Sequence, residues 1–370
     1  MSGKFRKKVA LKPVTNKPDI VLLILTLALV VFGIIMVGNV SVVEAYQDFG
    51  DKFYYLKLQA QWAVLGMLGL LGGLFFNFKR LRAIAFPLLL VTIFFLIAVL
   101  VPGVGIKALG AKRWLGVGSF RFQPSEVAKF ALILWAAAFL SNKKKTLPFL
   151  GILGLLGGLI ILQPDLGTAI ILIASGLIVY FVSGASIWQI GLIGLIGLIG
   201  GLGLIFSSPY RKERFLTFLN PARDPLGASY HIRQILIALG SGGLWGVGLG
   251  QSRQKYEYIP MATTDSIFAI IAEEIGFLGA MVVVLLFLVL IWRGLKIAKE
   301  APDEFSRLLA VGITSWIGLQ ALLNFGAMTA LIPLTGIPLP FISYGGSSLV
   351  LSLVAVGILA NISRYKIIRK

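Results

Sequence analysis

Ten apolar runs constrain this chain more than any other feature. The first covers Ile20 to about Val37, and the others fall around 62–76, 83–101, 127–140, 147–162, 166–182, 187–206, 267–292, 308–331 and 347–362. A helix needs about 20 apolar residues to cross the hydrocarbon of a bilayer, and inside it only helices or closed barrels satisfy their own backbone. The pattern predicts an all-α polytopic membrane protein of about ten transmembrane helices. Composition agrees: 58% of residues are hydrophobic and 13% charged, which leaves no segment for a separate soluble domain. Residues 1–19 read as a basic cytoplasmic tail and 20–370 as one transmembrane domain, with a long outer loop at about 207–265. The absence of cysteine excludes disulfides, thiolate nucleophiles and cysteine-bound metals, and the single histidine, His231, excludes a multi-histidine site.

The net charge of +19 is distributed as a topology signal, not as a nucleic-acid footprint. Lys4, Arg6, Lys7, Lys8, Lys12 and Lys17 precede the first span without an acid among them, so the N-terminus is expected in the cytoplasm. That span is too long for a signal-peptide core and lacks a small-residue cleavage site, so it reads as an anchor. Lys79, Arg80 and Arg82, then Lys143 to Lys145, then Arg293, Lys296 and Lys299, then the tail from Arg364 to Lys370 all fall on the same side if both termini are cytoplasmic. Two outer loops break the rule. One carries Lys107, Lys112, Arg113 and Arg121; the other carries Arg211, Lys212, Arg214, Arg223, Arg233, Arg253 and Lys255. Long loops cross regardless of charge; a basic outer surface also suits an anionic ligand.

A charge at the bilayer centre costs about 2.5–3.5 kcal/mol on insertion scales, yet Glu126, Lys129, Asp165, Asp265, Glu273 and Glu274 all sit in or beside apolar runs. In the ten-span topology each lies near the outer end of its span, whereas a transmembrane proton path needs polar groups at several depths. The layer therefore predicts a site at the outer interface. On a continuous helix Glu274 lies about 13 Å deeper than Asp265 and on the opposite face. Asp265 has an alternative as a helix N-cap, Glu273 or Glu274 as partner of a buried lysine or arginine, and Glu126 with Lys129 as a self-neutralising pair. The glycine stripe of "IGLIGLIGLIGGLG" (190–203) reads as a close-packing surface. "GSGGLWGVGLG" (240–250) lacks the strand and helix of a phosphate loop. "PLTGIPLPFISYGGSS" (333–348) is too rich in proline and glycine for a helix and is expected to line a cavity as irregular backbone, with Ser343 as a substrate-binding candidate.

The motifs "KRW", "QPSE" followed by Lys129, "QPDLGTA", the spacing NP-x-x-DP-x-G-x-x-Y from Asn220 to Tyr230, "GLGQSRQKYEYIP", "TDSIFAIIAEE" and "PLPFISYGGSS" occur in this order over nearly the whole chain. Together they resemble the SEDS family of polytopic membrane glycosyltransferases, the FtsW and RodA types, and the compact glycine-to-glutamine spacing of "GVGLGQSRQKYEYIP" looks nearer FtsW, the cell-division type. The resemblance implies polymerisation of lipid II, the undecaprenyl-pyrophosphate disaccharide pentapeptide, on the outer face of the bacterial cytoplasmic membrane. It also implies a single-span class B penicillin-binding transpeptidase as partner, Asp265 as the catalytic carboxylate, and importance for Arg113, Glu126, Lys129 and Asp165. Where the family more often has TDF this chain has Thr264, Asp265 and Ser266, which leaves the carboxylate in place and alters the packing beside it.

The implied inverting transfer needs a base for the sugar 4-hydroxyl, a role open to Asp265, and cations for the departing pyrophosphate, with Lys112, Arg113, Arg253 and Lys255 as candidates. Asp265 as a ligand to Mg²⁺ or Mn²⁺ is the other role the sequence leaves open. No organic cofactor is expected. A lipid-linked precursor transporter and a non-catalytic scaffold are the rival functions.

Overall fold

The computed structural model describes residues 17–108, 111–117, 120–142, 146–224, 227–256 and 259–365. Most of the basic tail, Lys143 to Lys145 and the chain end beyond Tyr365 lie outside these residues. Among the described residues thirteen helices and three strands follow one another: α1 (Ile20–Val40), α2 (Val42–Phe49), α3 (Tyr54–Phe75), α4 (Phe78–Leu100), β1 (Ile106–Ala108), β2 (Ala111–Val117), β3 (Phe120–Phe122), α5 (Pro124–Leu140), α6 (Thr146–Leu162), α7 (Leu166–Val182), α8 (Ile187–Phe206), α9 (Pro209–Leu219), α10 (Tyr230–Gly242), α11 (Ile267–Glu300), α12 (Glu304–Met328) and α13 (Gly346–Ile362).

Each of the ten apolar runs coincides with a helix. Six are long and apolar enough to cross a bilayer by themselves. The others, α5, α6, α7 and α13, have 17 residues each, the short end of the spanning range. Most side chains of α5 and α13 and about two thirds of those of α12 are buried, so these helices form the core, with Trp316 fully enclosed in it. Leu68, Phe94, Ile196 and Trp188 are exposed on the periphery, as lipid-facing side chains would be.

The loop before α5 folds into a small antiparallel sheet in the order β1-β2-β3, with Lys107 opposite Lys112 and Gly116 opposite Arg121. This sheet is an addition to an otherwise all-α chain: "KRWLGV" alternates side chains across a ribbon whose ladder satisfies the backbone without a helix. The predicted loop at 207–265 contains two helices, α9 and α10; Ile232, Ile235 and Ala238 bury one face of α10 against α11.

α11 is not one helix. Gly276 has φ +70 and ψ −175, which breaks the hydrogen-bond ladder inside an apolar segment. The segment 243–248 repairs it: Val247 and Gly248 N–H donate to the Glu273 and Glu274 carbonyls at 3.0 Å, while Phe277 and Leu278 N–H donate to Gly243 and Leu244 at 2.9 and 3.2 Å. Irregular backbone at membrane depth is tolerated when protein groups satisfy it in this way. The stretch that superficially looked like a phosphate loop thus completes a broken span.

Among the described residues of this chain no neighbour covers the expected packing surface on α8. None of its residues is buried, and Gly191, Gly194, Gly197 and Gly200 face open space. A step of three residues falls about 60° short of a full turn, so glycines repeated at that spacing wind around the helix and never hold one face.

Candidate functional site

Three polar clusters gather at the end of the bundle that carries the sheet. The first is the turn between α6 and α7. Asp165 accepts from Thr168 N–H at 3.1 Å, capping α7, and its other oxygen accepts from Gln123 Nε2 at 3.1 Å. Arg113, from β2, donates Nε to the Gln163 carbonyl at 3.0 Å and Nη2 to the Pro164 carbonyl, so it fastens the sheet to this turn. Lys112 and Trp114 are half-buried on the same strand.

The second cluster lies inside the core. Lys129, 1% exposed, is 2.8 Å from Glu126 Oε1 and donates to Gln320 Oε1 at 2.8 Å, with its ammonium 5.1 Å from the Trp316 ring centroid. Buried charges persist when paired and hydrogen-bonded in this manner. Glu126 Oε2 is buried without a hydrogen-bond partner among the described residues.

The third cluster surrounds Asp265. α11 begins at Ile267 with Ser266 in the cap position, so the Asp265 carboxylate is not the helix cap. Its backbone carbonyl accepts from Asn324 Nδ2 at 2.7 Å, while one carboxylate oxygen accepts only from the Thr264 hydroxyl at 3.2 Å. Burial raises the Asp265 pKa to about 6, against the lowering effects of its own backbone, of Arg214 and of Thr264. Beside it, His231 Nε2 meets Ser266 Oγ at 2.8 Å, and Ser266 donates to the Pro260 carbonyl at 3.2 Å. Burial and the charge of Arg214 pull the His231 pKa down to about 4, so this ring is neutral near pH 7.

One segment joins the second and third clusters. Asn324 and Gln320, one turn apart on α12, donate to the consecutive carbonyls of Ile337 and Pro338 at 2.8 and 3.0 Å. Of the segment expected to be irregular, 333–348, the last three residues open α13, and the irregular backbone of 333–345 is thereby pinned beside both Lys129 and Asp265. Ser343 Oγ accepts from Leu339 N–H at 2.8 Å, so this substrate-binding candidate is committed to a turn within that segment. Tyr344 N–H donates to the Thr263 carbonyl at 2.9 Å, which ties the same segment to the residue two before Asp265.

Lys255 is likewise committed to the protein. Its ammonium donates to Asn39 Oδ1 at 2.9 Å and the Gly250 carbonyl at 2.6 Å, and lies 3.5 Å from Glu274 Oε1, with both side chains almost fully buried. Glu273 accepts from Ser252 Oγ and, at 3.2 Å, from Arg253 N–H. The two glutamates therefore anchor the 250–255 loop onto the first half of α11, and the Arg253 side chain remains exposed.

Gln123, Gln320, Asn324 and Arg214 are the site residues that the sequence reading passed over. The first three are amides in or next to apolar helices, a visible signal, since an unpaired amide there is costly. Among the described residues no group of three or more histidine, cysteine, aspartate or glutamate side chains can hold a metal ion. The nearest charged group acting on Asp265 is a cation, Arg214. A Mg²⁺ or Mn²⁺ held mainly by substrate phosphates would have Asp265 as its protein ligand.

A family model described as cell cycle protein, spanning FtsW, RodA and SpoVE, matches residues 20–367. Stage V sporulation protein E of Bacillus subtilis strain 168 is 46% identical over 358 residues, 95% of this chain and 98% of that protein. A probable peptidoglycan glycosyltransferase FtsW of Trichlorobacter lovleyi is 41% identical, with 93% of each chain covered. Among solved structures, a chain from a peptidoglycan synthase complex that coordinates polymerization and crosslinking matches with TM-score 0.78 at 31% identity, covering 95% of this chain and 99% of its own. The rod shape determining protein RodA of Thermus thermophilus matches with TM-score 0.70 at 29% identity, over 95% and 98%.

Proposed function

We propose, from the premise that this chain belongs to the FtsW, RodA and SpoVE family of cell cycle proteins, that it polymerises lipid II with Asp265 as general base. The protein is a polytopic membrane peptidoglycan glycosyltransferase, as its relatives and its structural neighbours support. The observation that carries the role of Asp265 is the way it is held: Asn324 takes its backbone carbonyl, and among the described residues the Thr264 hydroxyl is the one side-chain donor to its carboxylate. A buried carboxylate fixed through its main chain is positioned and still able to accept a proton.

In the transfer, the 4-hydroxyl oxygen of one sugar bonds to the anomeric carbon of the other as the bond to the lipid pyrophosphate breaks. The hydroxyl proton passes to Asp265 and the electron pair leaves with the pyrophosphate. General base catalysis of this kind is typically worth about 10²- to 10⁴-fold, and a base pKa raised to about 6 lies near the working range. Glu126 and Lys129, deeper in the bundle, form a buried pair that Gln320 ties to the Pro338 carbonyl, and so support the segment beside Asp265.

The basic residues near both chain ends support a site on the outer face of the cytoplasmic membrane, with the termini in the cytoplasm. A single-span penicillin-binding transpeptidase is the partner, supported by the synthase complex among the structural neighbours. The relatives named FtsW and stage V sporulation protein E favour a role in division or sporulation septa.

The test is reconstitution of the purified protein with fluorescent lipid II in liposomes, with a transpeptidase partner of proven competence. Glycan strands are the expected product. Movement of lipid II between leaflets without any polymer would overturn the polymerase and favour the transporter.

A further inference from the structure

Of the cations expected to meet a pyrophosphate, Arg113 is spent on two carbonyls and Lys255 on a buried network. Arg214, on α9, stands elsewhere. Gly336 has φ +69, and a Cβ at that residue would lie 3.8 Å from Arg214 Nη1 and 3.8 Å from Asp265 Oδ2. Guanidinium and carboxylate therefore border one small space, which the missing side chain of Gly336 leaves open. The two are not ion-paired.

Arg214 is also held in place. Nη1 donates to the Leu334 carbonyl at 3.1 Å, and the guanidinium carbon is 4.7 Å from the ring centroid of Tyr210, one turn earlier on the helix. Leu334 belongs to the same segment that Asn324 pins through Ile337, so the cation and the carboxylate share one support. A guanidinium has five N–H donors, and among the described residues one is used by Leu334. The side chain is half-buried.

We propose that Arg214 binds the pyrophosphate of the donor lipid at Asp265; this rests on the glycan polymerase reading given above. A displacement places the base beside the incoming hydroxyl and the leaving group beyond the reacting carbon, with reacting atoms about 3–3.5 Å apart at the outset. A cation one small group away from the base is where the departing negative charge develops, and interactions realised there lower the barrier. Arginine suits this place because its planar fork meets two phosphate oxygens at once, which a lysine point charge does not.

The experiment measures binding of undecaprenyl pyrophosphate and of undecaprenyl monophosphate to the full-length wild type, Arg214→Lys, Arg214→Gln and Asp265→Asn, alongside lipid II polymerisation and thermal unfolding. Arg214→Gln is expected to weaken pyrophosphate-lipid binding by at least about 10-fold, to raise KM for lipid II, and to lose the preference for two phosphates over one. Arg214→Lys recovers part of the binding, and Asp265→Asn binds like the wild type. Wild-type affinity in a folded Arg214→Gln overturns the proposal. So does an equal loss of both lipids with a lowered melting temperature, which marks a brace for α9 alone. A wild type that binds pyrophosphate through Arg214 yet makes no glycan contradicts the polymerase reading and leaves this site standing.

Discussion

At Asp265 a carboxylate sits 6% exposed with the Thr264 hydroxyl as its hydrogen-bond donor, and burial is the largest influence on its ionisation. The group must be ionised to accept a proton, and its pKa is raised to about 6. Polymerisation is therefore expected to fall as pH drops through about 6, with His231 already neutral over that range because its own pKa is held near 4. A pH profile of kcat/KM checks this; an acid limb near 4 would show a carboxylate in ordinary surroundings. Asp265 was legible in the sequence from "TDS" at the mouth of an apolar run. Arg214 was visible only as one of several loop cations, because its relation to Asp265 passes through Gly336, more than 70 residues further along the chain. Lys255 failed as a substrate cation for the same reason: Asn39, from the first span, is what claims it.

Among the elements, the ten spans could be read from hydrophobic runs because bilayer thickness fixes their length. The break in α11 could not, since a glycine inside an apolar run has no signature until the repairing segment is known. Gly246, at φ +82, and Gly276, at φ +70, meet backbone to backbone: a Cβ on Gly276 would lie 2.3 Å from Gly246 N. Gly276→Ala is expected to destabilise the protein by about 3 kcal/mol or more, from left-handed strain together with overpacking. Gly194→Ala, in open space on α8, is expected to leave the melting temperature unchanged. Thermal unfolding in one detergent compares them, and equal melting temperatures would mean that the 243–248 contact is not needed. Sequence also missed the strands of the 106–122 sheet, whose short alternation is hidden by flanking glycines and basic residues.

Over the whole molecule, the two ends of the bundle divide the labour. Asp19 accepts from Arg293 Nε at 3.0 Å and its N–H donates to Ser363 Oγ at 2.9 Å, closing α1, α11 and α13 together at the end where α1 begins and α13 finishes. The opposite end holds the sheet, the irregular 333–345 segment and all three polar clusters. That polar residues converge at one end was legible from their positions in the spans; which of them touch was not, because α12 links them across three other helices. The account stands or falls on Asp265 at the centre of this end. Its most direct test is polymerisation of labelled lipid II by the wild type and by Asp265→Asn, each folded and supplied with its transpeptidase. A fall of at least about 100-fold in the mutant is expected. Glycan synthesis at the wild-type rate by Asp265→Asn would contradict it.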